Sequence, residues 1–376
     1  MSRRVLALAA AVVLSVTAGC TVEAETEPTT ATTAGTTEGT TTSAPGTGAA
    51  PDGTTDTGAA PDGTTDTGDA AAGAGLSAYG LALLAAPAEA THLTVTDFDA
   101  VRERLGVPDL TSEDIMTDRL EFWRSADASS VLLTDGLLRE ENSRYDVTYD
   151  FTQDDVDAEV RWTGPDGGGL LLVLRPDLDL DLVQAAIDDD APGLEGAVLD
   201  RDTATVSQGL GTGGVWATSS HSAAARVGDV PAESLIVRNG CVPFNDALGA
   251  DATVEDQDAL LAAHDVEGLL DVEAVAVAFT GLEATVRLAY PVGTAPAAIE
   301  GDLAARLALA EDWPVTESIG FRDGFERGSV AGVDAEIGEL EFAVTSPLGA
   351  ALLALADLVP LGVCTDVELL AEPTGL

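Results

Sequence analysis

The clearest periodic stretch runs from Val156 to Trp162. Val156, Ala158, Val160 and Trp162 alternate with Asp157, Glu159 and Arg161, the period-two pattern of a strand with one wet face. Gly164-Pro165-Asp166-Gly167-Gly168-Gly169 then turns the chain, and Leu170 to Arg175 returns as a buried strand, which makes a β-hairpin. Pro176-Asp177-Leu178-Asp179 opens a helix to Asp188, its acidic residues suiting the positive helix start. Val198-Leu199 and Thr203 to Val206 read as short strands. The same order recurs downstream. Val275, Val277 and Phe279 share one strand face, Gly281 turns the chain, and Thr285 to Tyr290 returns. Ala295 to Ala310 is helical, with Ile299, Leu303 and Leu307 four apart. Ser329-Val330 and Leu340 to Val344 read as strands, and Pro347 to Leu358 as a final amphipathic helix. Hairpin, helix, hairpin thus occurs twice. The match of Asp155-Val156-Asp157-Ala158 with Asp271-Val272-Glu273-Ala274 fits a duplication.

Ahead of the first hairpin, Ser77 to Ala86 is an apolar helix stopped by Pro87, and His92 to Val95 is a strand. Asp97 caps the next helix, which Gly106 ends. Thr111-Ser112-Glu113-Asp114 resembles a capping box. Ile115, Met116, Arg119, Leu120 and Trp123 follow at helical spacing, with Trp123 in the core. Hairpins with crossing helices, lacking regular strand–helix alternation, predict an α+β fold of antiparallel sheets with packed helices. That pattern argues against a clamshell of the solute-binding type. The expected organisation is a signal over 1–19, a tether over 20–75, and two α+β units over 76–240 and 241–376.

The pattern before residue 76 is of another kind. Arg3 and Arg4 precede an apolar run from Val5 to Val16, and Thr17, Ala18 and Gly19 are small, the three parts of a secretory signal. The run is about 12 residues, whereas a bilayer core needs roughly 20. Val16-Thr17-Ala18-Gly19-Cys20 resembles a bacterial lipobox, although Thr17 stands where a leucine is usual. The resemblance implies cleavage before Cys20 and lipidation of its thiol, and two or three acyl chains hold a protein stably at a membrane. From 21 to 75 no basic or aromatic residue occurs, and the decapeptide Gly48–Thr57 repeats as Gly58–Thr67. Such a stretch cannot offset the entropy of ordering. As a flexible coil it would reach roughly 40 Å. Its threonines are candidate glycosylation sites.

Composition sharpens this picture. The chain carries 65 acidic and 17 basic residues, a formal charge of −48, and every basic residue is arginine. Such a field repels nucleic acid and anionic lipid heads, so membrane attachment falls to the lipid on Cys20. With Cys20 acylated, Cys241 and Cys364 remain as an even pair in an oxidising compartment, where a disulfide is expected. The globular part is similar to uncharacterised actinobacterial lipoproteins. It shares with them a Thr-Val-Thr-Asp opening, Gly106 to Thr111, Leu132-Leu133-Thr134-Asp135-Gly136-Leu137-Leu138-Arg139, and Trp162 to Gly167. The resemblance implies an extracytoplasmic lipoprotein and supplies no site residues.

Catalytic spacing is scarce. Gly209 to Gly214 is glycine-rich, but polar residues flank it, and it reads as a loop. His92, His221 and His264 lack metal-binding spacing. Ser219-Ser220-His221-Ser222 places hydroxyls beside an imidazole, but sequence neighbours seldom make a working dyad. Asp177-x-Asp179-x-Asp181 opens like a calcium loop, yet Leu182 stands where that loop needs glycine. No catalytic residue, metal or cofactor is therefore expected. The expectation is a lipid-anchored binding or interaction module at the outer face of the cell membrane. Its partner would be an envelope protein, cell-wall material or a small molecule, and not nucleic acid. The alternatives are a carrier of an apolar ligand, or an envelope hydrolase whose site is assembled from distant residues.

Overall fold

The computed structural model describes residues 76–165, 167–210, 214–218, 222–313, 319–357 and 359–370. The signal, Cys20, the tether and Ser219 to His221 lie outside the described residues. Within them the chain forms β1 (His92–Asp97), β2 (Val156–Gly164), β3 (Gly167–Leu174), β4 (Val198–Asp200), β5 (Thr205–Gln208), β6 (Ser234–Asn239), β7 (Ala274–Thr280), β8 (Glu283–Ala289), β9 (Ser329–Asp334) and β10 (Ile337–Ala343). All belong to one antiparallel sheet in the order β4-β5-β3-β2-β1-β6-β7-β8-β10-β9. The fold is α+β.

The helices are α1 (Ala78–Ala85), α2 (Phe98–Leu105), α3 (Met116–Ser129), α4 (Asn142–Tyr149), α5 (Leu180–Asp188), α6 (Ser222–Val227), α7 (Phe244–Leu248), α8 (Val254–Ala263), α9 (Pro296–Glu311), α10 (Phe321–Gly324) and α11 (Pro347–Leu355). Local chemistry sets several ends. Ser77 caps α1, and Asp97 caps α2 through Ala100 N at 2.9 Å. Gly106 closes α2 at φ 78°, a left-handed conformation that glycine adopts without strain.

The strand order contains a repeat. From β1 outward it runs β1-β2-β3-β5-β4, and from β6 outward β6-β7-β8-β10-β9. An offset of 116 residues carries the pairs Ala158↔Val173, Glu159↔Leu172 and Val160↔Leu171 onto Ala274↔Ala289, Val275↔Leu288 and Ala276↔Arg287. It also carries Asp179, the residue before α5, onto Ala295, the residue before α9. An offset of 142 carries Thr94 onto its own cross-strand neighbour Ile236, and the end of α1 onto the end of α6. The copies therefore meet at β1 and β6 about an approximate two-fold axis normal to the sheet. Their first strands pair antiparallel, so the sheet is continuous across the seam. The expected boundary at 240/241 falls inside the second copy, just after its first strand.

Helices cover both faces unequally. One face carries Leu93, Val95, Val160, Trp162, Leu235, Val237, Ala274, Ala276 and Ala278, packed with Ala82 of α1 and Ala224 of α6. The other face carries two larger cores. One belongs to the first copy and includes Phe98, Trp123, Tyr145, Leu172 and Val183. The other belongs to the second copy and includes Ile236, Val277, Phe279, Val286, Leu303 and Leu340.

Three sequence expectations need correction. Thr111 and Asp114 do bond reciprocally with nearby backbone, with Thr111 N donating to Asp114 at 2.9 Å, but they form a turn. Helix α3 starts later, after an Ile115 that provides no cap bond. The buried side of α3 is Arg119, Phe122, Trp123 and Ala126, whereas Ile115, Met116 and Leu120 are exposed. Glu159 is not on a wet face: it is buried. Strand β6 carries no prediction in the sequence reading. Its side chains are buried on both faces along most of its length, so the period-two pattern is absent.

Candidate functional site

The face with the two cores is apolar at its ends and polar in its middle. One row across the sheet reads Leu170, Arg161, Thr94, Ile236, Val277, Val286, Leu340. The next reads Leu172, Glu159, Thr96, Ser234, Phe279, Ala284, Phe342. A third places Thr163, His92 and Arg238 side by side, leading to Val275. A polar strip over β2, β1 and β6 thus separates the two apolar cores.

The segment between α3 and α4 crosses this strip. Val131 and Leu133 enter the core of the second copy and Leu138 that of the first. Between them the backbone lies over Glu159, whose carboxylate accepts from Thr134 Oγ1 at 2.6 Å and from Leu137 N at 2.7 Å. Arg161 donates from Nε to the same carboxylate at 2.6 Å. A buried charge persists where hydrogen bonds and a counter-charge replace water, and all three bonds do so here. Gly136 is fixed in this segment by φ 88° and by contact with Gln153, which a Cβ would strike at 2.7 Å.

Outside the crossing segment lies an open groove of about 600 Å³. The first copy contributes Asp127, Ser130, Leu132, Asp135, Arg139 and Glu140, and α11 contributes Pro347 and Leu348. Arg139 is committed locally. Its two terminal nitrogens donate to the two Asp127 oxygens at 3.1 and 2.8 Å, and the guanidinium lies 4.3 Å from the Trp123 ring centre, within cation–π range. Asp135 and Glu140 are exposed, and neither has a basic partner among the described residues. On the opposite wall Leu348 is 69% exposed, and Leu352 and Leu355 continue the same face of α11 at 50% and 48%. The other side of α11, Ala350, Ala351, Leu353 and Ala354, is buried in the core of the second copy. The sequence Pro-Leu-Gly-Ala-Ala-Leu-Leu-Ala-Leu contains no polar residue, so this helix is apolar all round rather than amphipathic as expected.

At the far end of α11, three ionisable side chains converge: His92 of β1, Arg238 of the adjoining β6, and Asp357 just past the helix. His92 Nε2 is 3.1 Å from Asp357 Oδ2, Arg238 Nη1 is 2.8 Å from His92 Nε2, and Arg238 also pairs with Asp357. Thr91 Oγ1 stands 2.9 Å from His92 Nδ1. Burial pushes the Asp357 carboxyl up, but the His92 hydrogen bond and the Arg238 charge outweigh it, and the net direction is down. Hydroxyl, imidazole and carboxylate in line are the parts of a hydrolytic triad. Here Arg238 occupies the imidazole–carboxylate edge. The adjoining cavity, lined by Ile236, Val242, Val275, Val277, Ala354 and Val359, holds about 20 Å³, room for about one water. The cluster is a cross-link between β1, β6 and the end of α11.

Other buried charges are also spent on structure. Arg119 and Trp123 both donate to Asp154, at 2.6 and 2.8 Å. Arg306 donates to Asp302 at 2.6 Å and to the carbonyls of Leu270, Leu361 and Val363, while Tyr290 OH donates to Asp302 at 2.7 Å. Cys241 and Cys364 form a disulfide, Cα–Cα 5.1 Å, beside the bridge Val242↔Val363. Asp179 caps α5 through Asp181 N at 2.9 Å, and Asp181 pairs with Arg201. Among the described residues no group of three or more His, Cys, Asp or Glu could hold a metal ion. His264 pairs with Asp312 at 3.0 Å, far in sequence from His92.

The groove residues come from two stretches more than 200 positions apart, so no local spacing in the sequence links them. One signal was legible: an all-apolar helix in an acidic chain has more leucine than one core face can take. Comparison with protein-family models, with curated proteins and with solved structures finds no match to this chain.

Proposed function

We propose that this chain is a lipid-anchored extracytoplasmic binding module. In this reading Cys20 carries the lipid, the 21–75 stretch is the tether, and the groove between the crossing segment and α11 is the docking site. One observation carries the docking assignment. Buried charges at the seam are used in cross-links, whereas the groove presents Asp135 and Glu140, without a basic partner among the described residues, opposite Leu348, the first of an exposed leucine row on α11. An exposed apolar row rimmed by polar groups is the usual form of an interaction surface. The cavity of about 20 Å³ under α11 favours docking over carriage of an apolar ligand. Among the described residues no helix is long and apolar enough to cross a membrane, which is compatible with a lipid anchor.

Fractionation of an actinobacterial host tests the anchor. The full chain is expected in the membrane fraction with acyl mass on Cys20, and the Cys20→Ser variant in the medium. Recovery of both in the medium would overturn the anchor. A photo-crosslinking residue replacing Leu348 tests the groove against one replacing Val198, which is 61% exposed on an outer strand. A discrete adduct from position 348 alone is expected in intact cells. Turnover of an envelope substrate that His92→Ala abolishes, with folding intact, would sink the non-enzymatic reading.

A further inference from the structure

We infer that the groove receives a basic, amphipathic segment of a partner protein, an inference that rests on the docking reading above. Charge argues for the basic character. The groove holds three carboxylates, Asp127, Asp135 and Glu140, against one cation. Arg139 is already clamped by Asp127 and stacked on Trp123. The carboxylates of Asp135 and Glu140 are therefore left to meet an incoming charge. An anionic partner would add like charge to a chain already at −48, which costs affinity and slows encounter. The same argument excludes the tether as occupant, since residues 21 to 75 contain acidic side chains and no basic one.

The wall argues for the amphipathic character. Leu348, Leu352 and Leu355 lie at i, i+4 and i+7 on α11, all at least 48% exposed. A row about two helical turns long matches the apolar stripe of a partner helix. Leu132 and Pro347 extend the apolar surface into the groove itself. A partner that lays apolar residues on this row places its flanking lysines or arginines beside Asp135 and Glu140. The aliphatic stems of those residues can cover Leu132 while their heads stay in water.

The test titrates the full chain with two synthetic helical peptides of about 14 residues, roughly four turns. They share one leucine stripe and carry either lysine or glutamate elsewhere. The Leu/Lys peptide is expected to bind, with the Leu/Glu peptide weaker by about tenfold or more. The double reversal Asp135→Lys with Glu140→Lys is expected to weaken the Leu/Lys peptide by about tenfold or more, as is Leu348→Asp. Reversing two remote exposed carboxylates, Asp258→Lys with Glu267→Lys, changes net charge equally and is expected to stay within about twofold. Equal loss from the remote pair would overturn the inference, because attraction would then belong to the whole field. Equal binding of both peptides, abolished by Leu348→Asp, would overturn the basic preference while leaving the groove as a docking site. Failure of both peptides would overturn the inference, and the absence of an adduct from position 348 as well would overturn the docking reading.

Discussion

The two copies of the repeat share their strand order and their hairpin register, yet equivalent positions on their second strands hold opposite chemistry. Glu159, Arg161 and Thr163 of the first copy correspond to Val275, Val277 and Phe279 of the second. The cause lies outside the repeat. Helix α11 follows the last strand of the second copy and buries Ala350, Ala351, Leu353 and Ala354 over its core. Among the described residues between β5 and α6 there is no α-helix to do the same for the first copy, and the 3-10 turn Trp216–Thr218 lies on the opposite face with Leu93 and Trp162. There the crossing segment covers one row with hydrogen bonds, and the rest of the strip stays partly open. Doubling a scaffold supplies the frame. A helix added to one side makes the frame asymmetric, and the groove lies where that helix ends.

Exchange of the paired residues should break the comparison most severely. Val275→Glu places a carboxylate against Ala354 and Gly362 with no equivalent of Thr134 or Leu137 to bond it, and its cross-strand neighbour Arg238 is already held by Asp357 and the Cys241 carbonyl. A loss of about 3–5 kcal/mol is expected in urea unfolding, the cost of an uncompensated buried charge. Glu159→Val takes the acceptor from three donors, Thr134 Oγ1, Leu137 N and the half-exposed Arg161, and should cost about 2–3 kcal/mol. If Val275→Glu were tolerated as well as Glu159→Val, the two sites would be chemically alike and the comparison would fail.

Each copy is also pinned by one buried ion pair. Asp302→Ala strands Arg306 in the second copy, and Asp154→Ala strands Arg119 in the first. Asp302→Ala should cost about 3–5 kcal/mol and Asp154→Ala somewhat less, because Asp146 stays 3.6 Å from Arg119, both measured by thermal unfolding. A cost near zero at either site would show that copy to be held by packing alone. The disulfide has no counterpart in the first copy. Replacing Cys241 and Cys364 with serine opens a loop of separation 123 and should cost about 2–5 kcal/mol. Hydrogen exchange should then quicken around Val242 and Val363 and leave β2 and β3 protected. Uniform quickening would argue against separate pinning.

Asp157 sharpens the contrast through pH. Burial pushes its carboxyl up to about 6, and the neighbouring Arg102 opposes this only in part. The folded state thus binds this proton more tightly than the unfolded chain. The associated stability is complete below about pH 4 and lost as pH rises to about 6, a change of up to about 3 kcal/mol. Asp157→Asn should flatten stability over that window. Glu273, the equivalent residue, is exposed rather than half-buried. An unaltered slope in Asp157→Asn would assign the titration elsewhere.

The smallest effect concerns the helix that follows each hairpin. Asp179 caps α5 with its side chain, whereas Ala295 precedes α9 without a side-chain bond. Asp179→Ala should cost about 1 kcal/mol, and Ala295→Asp should gain about 0.5–1 kcal/mol. A loss on introducing aspartate would mean that the helix starts are not equivalent.

Much of this frame is legible in the residues. Both hairpins, α5, α9, the cap at Asp97 and the stop at Gly106 follow from local pattern. The four-residue match beginning at Asp155 and Asp271 falls on the offset that relates the hairpins. The strip is not legible. Glu159 alternates with apolar residues as any solvent-facing position does, and its burial depends on Thr134 and Leu137 folding over it. The start of α3 shows the same limit: the apolar Ile115, Met116 and Leu120 have helical spacing, yet Arg119 holds the inward side because Asp154 waits there.

The sequence by itself determined the α+β class, the antiparallel hairpins, the capped helices and the doubling, because each depends on backbone preference and on periodicity within about 20 residues. Only the tertiary structure decided that β1 and β6 join the copies into one sheet, that α11 covers one copy alone, and that Asp135, Glu140 and Leu348 share a groove. Those outcomes depend on which apolar faces find each other across more than a hundred residues. Burial free energy is proportional to area and does not depend on direction, so no local pattern specifies its partner.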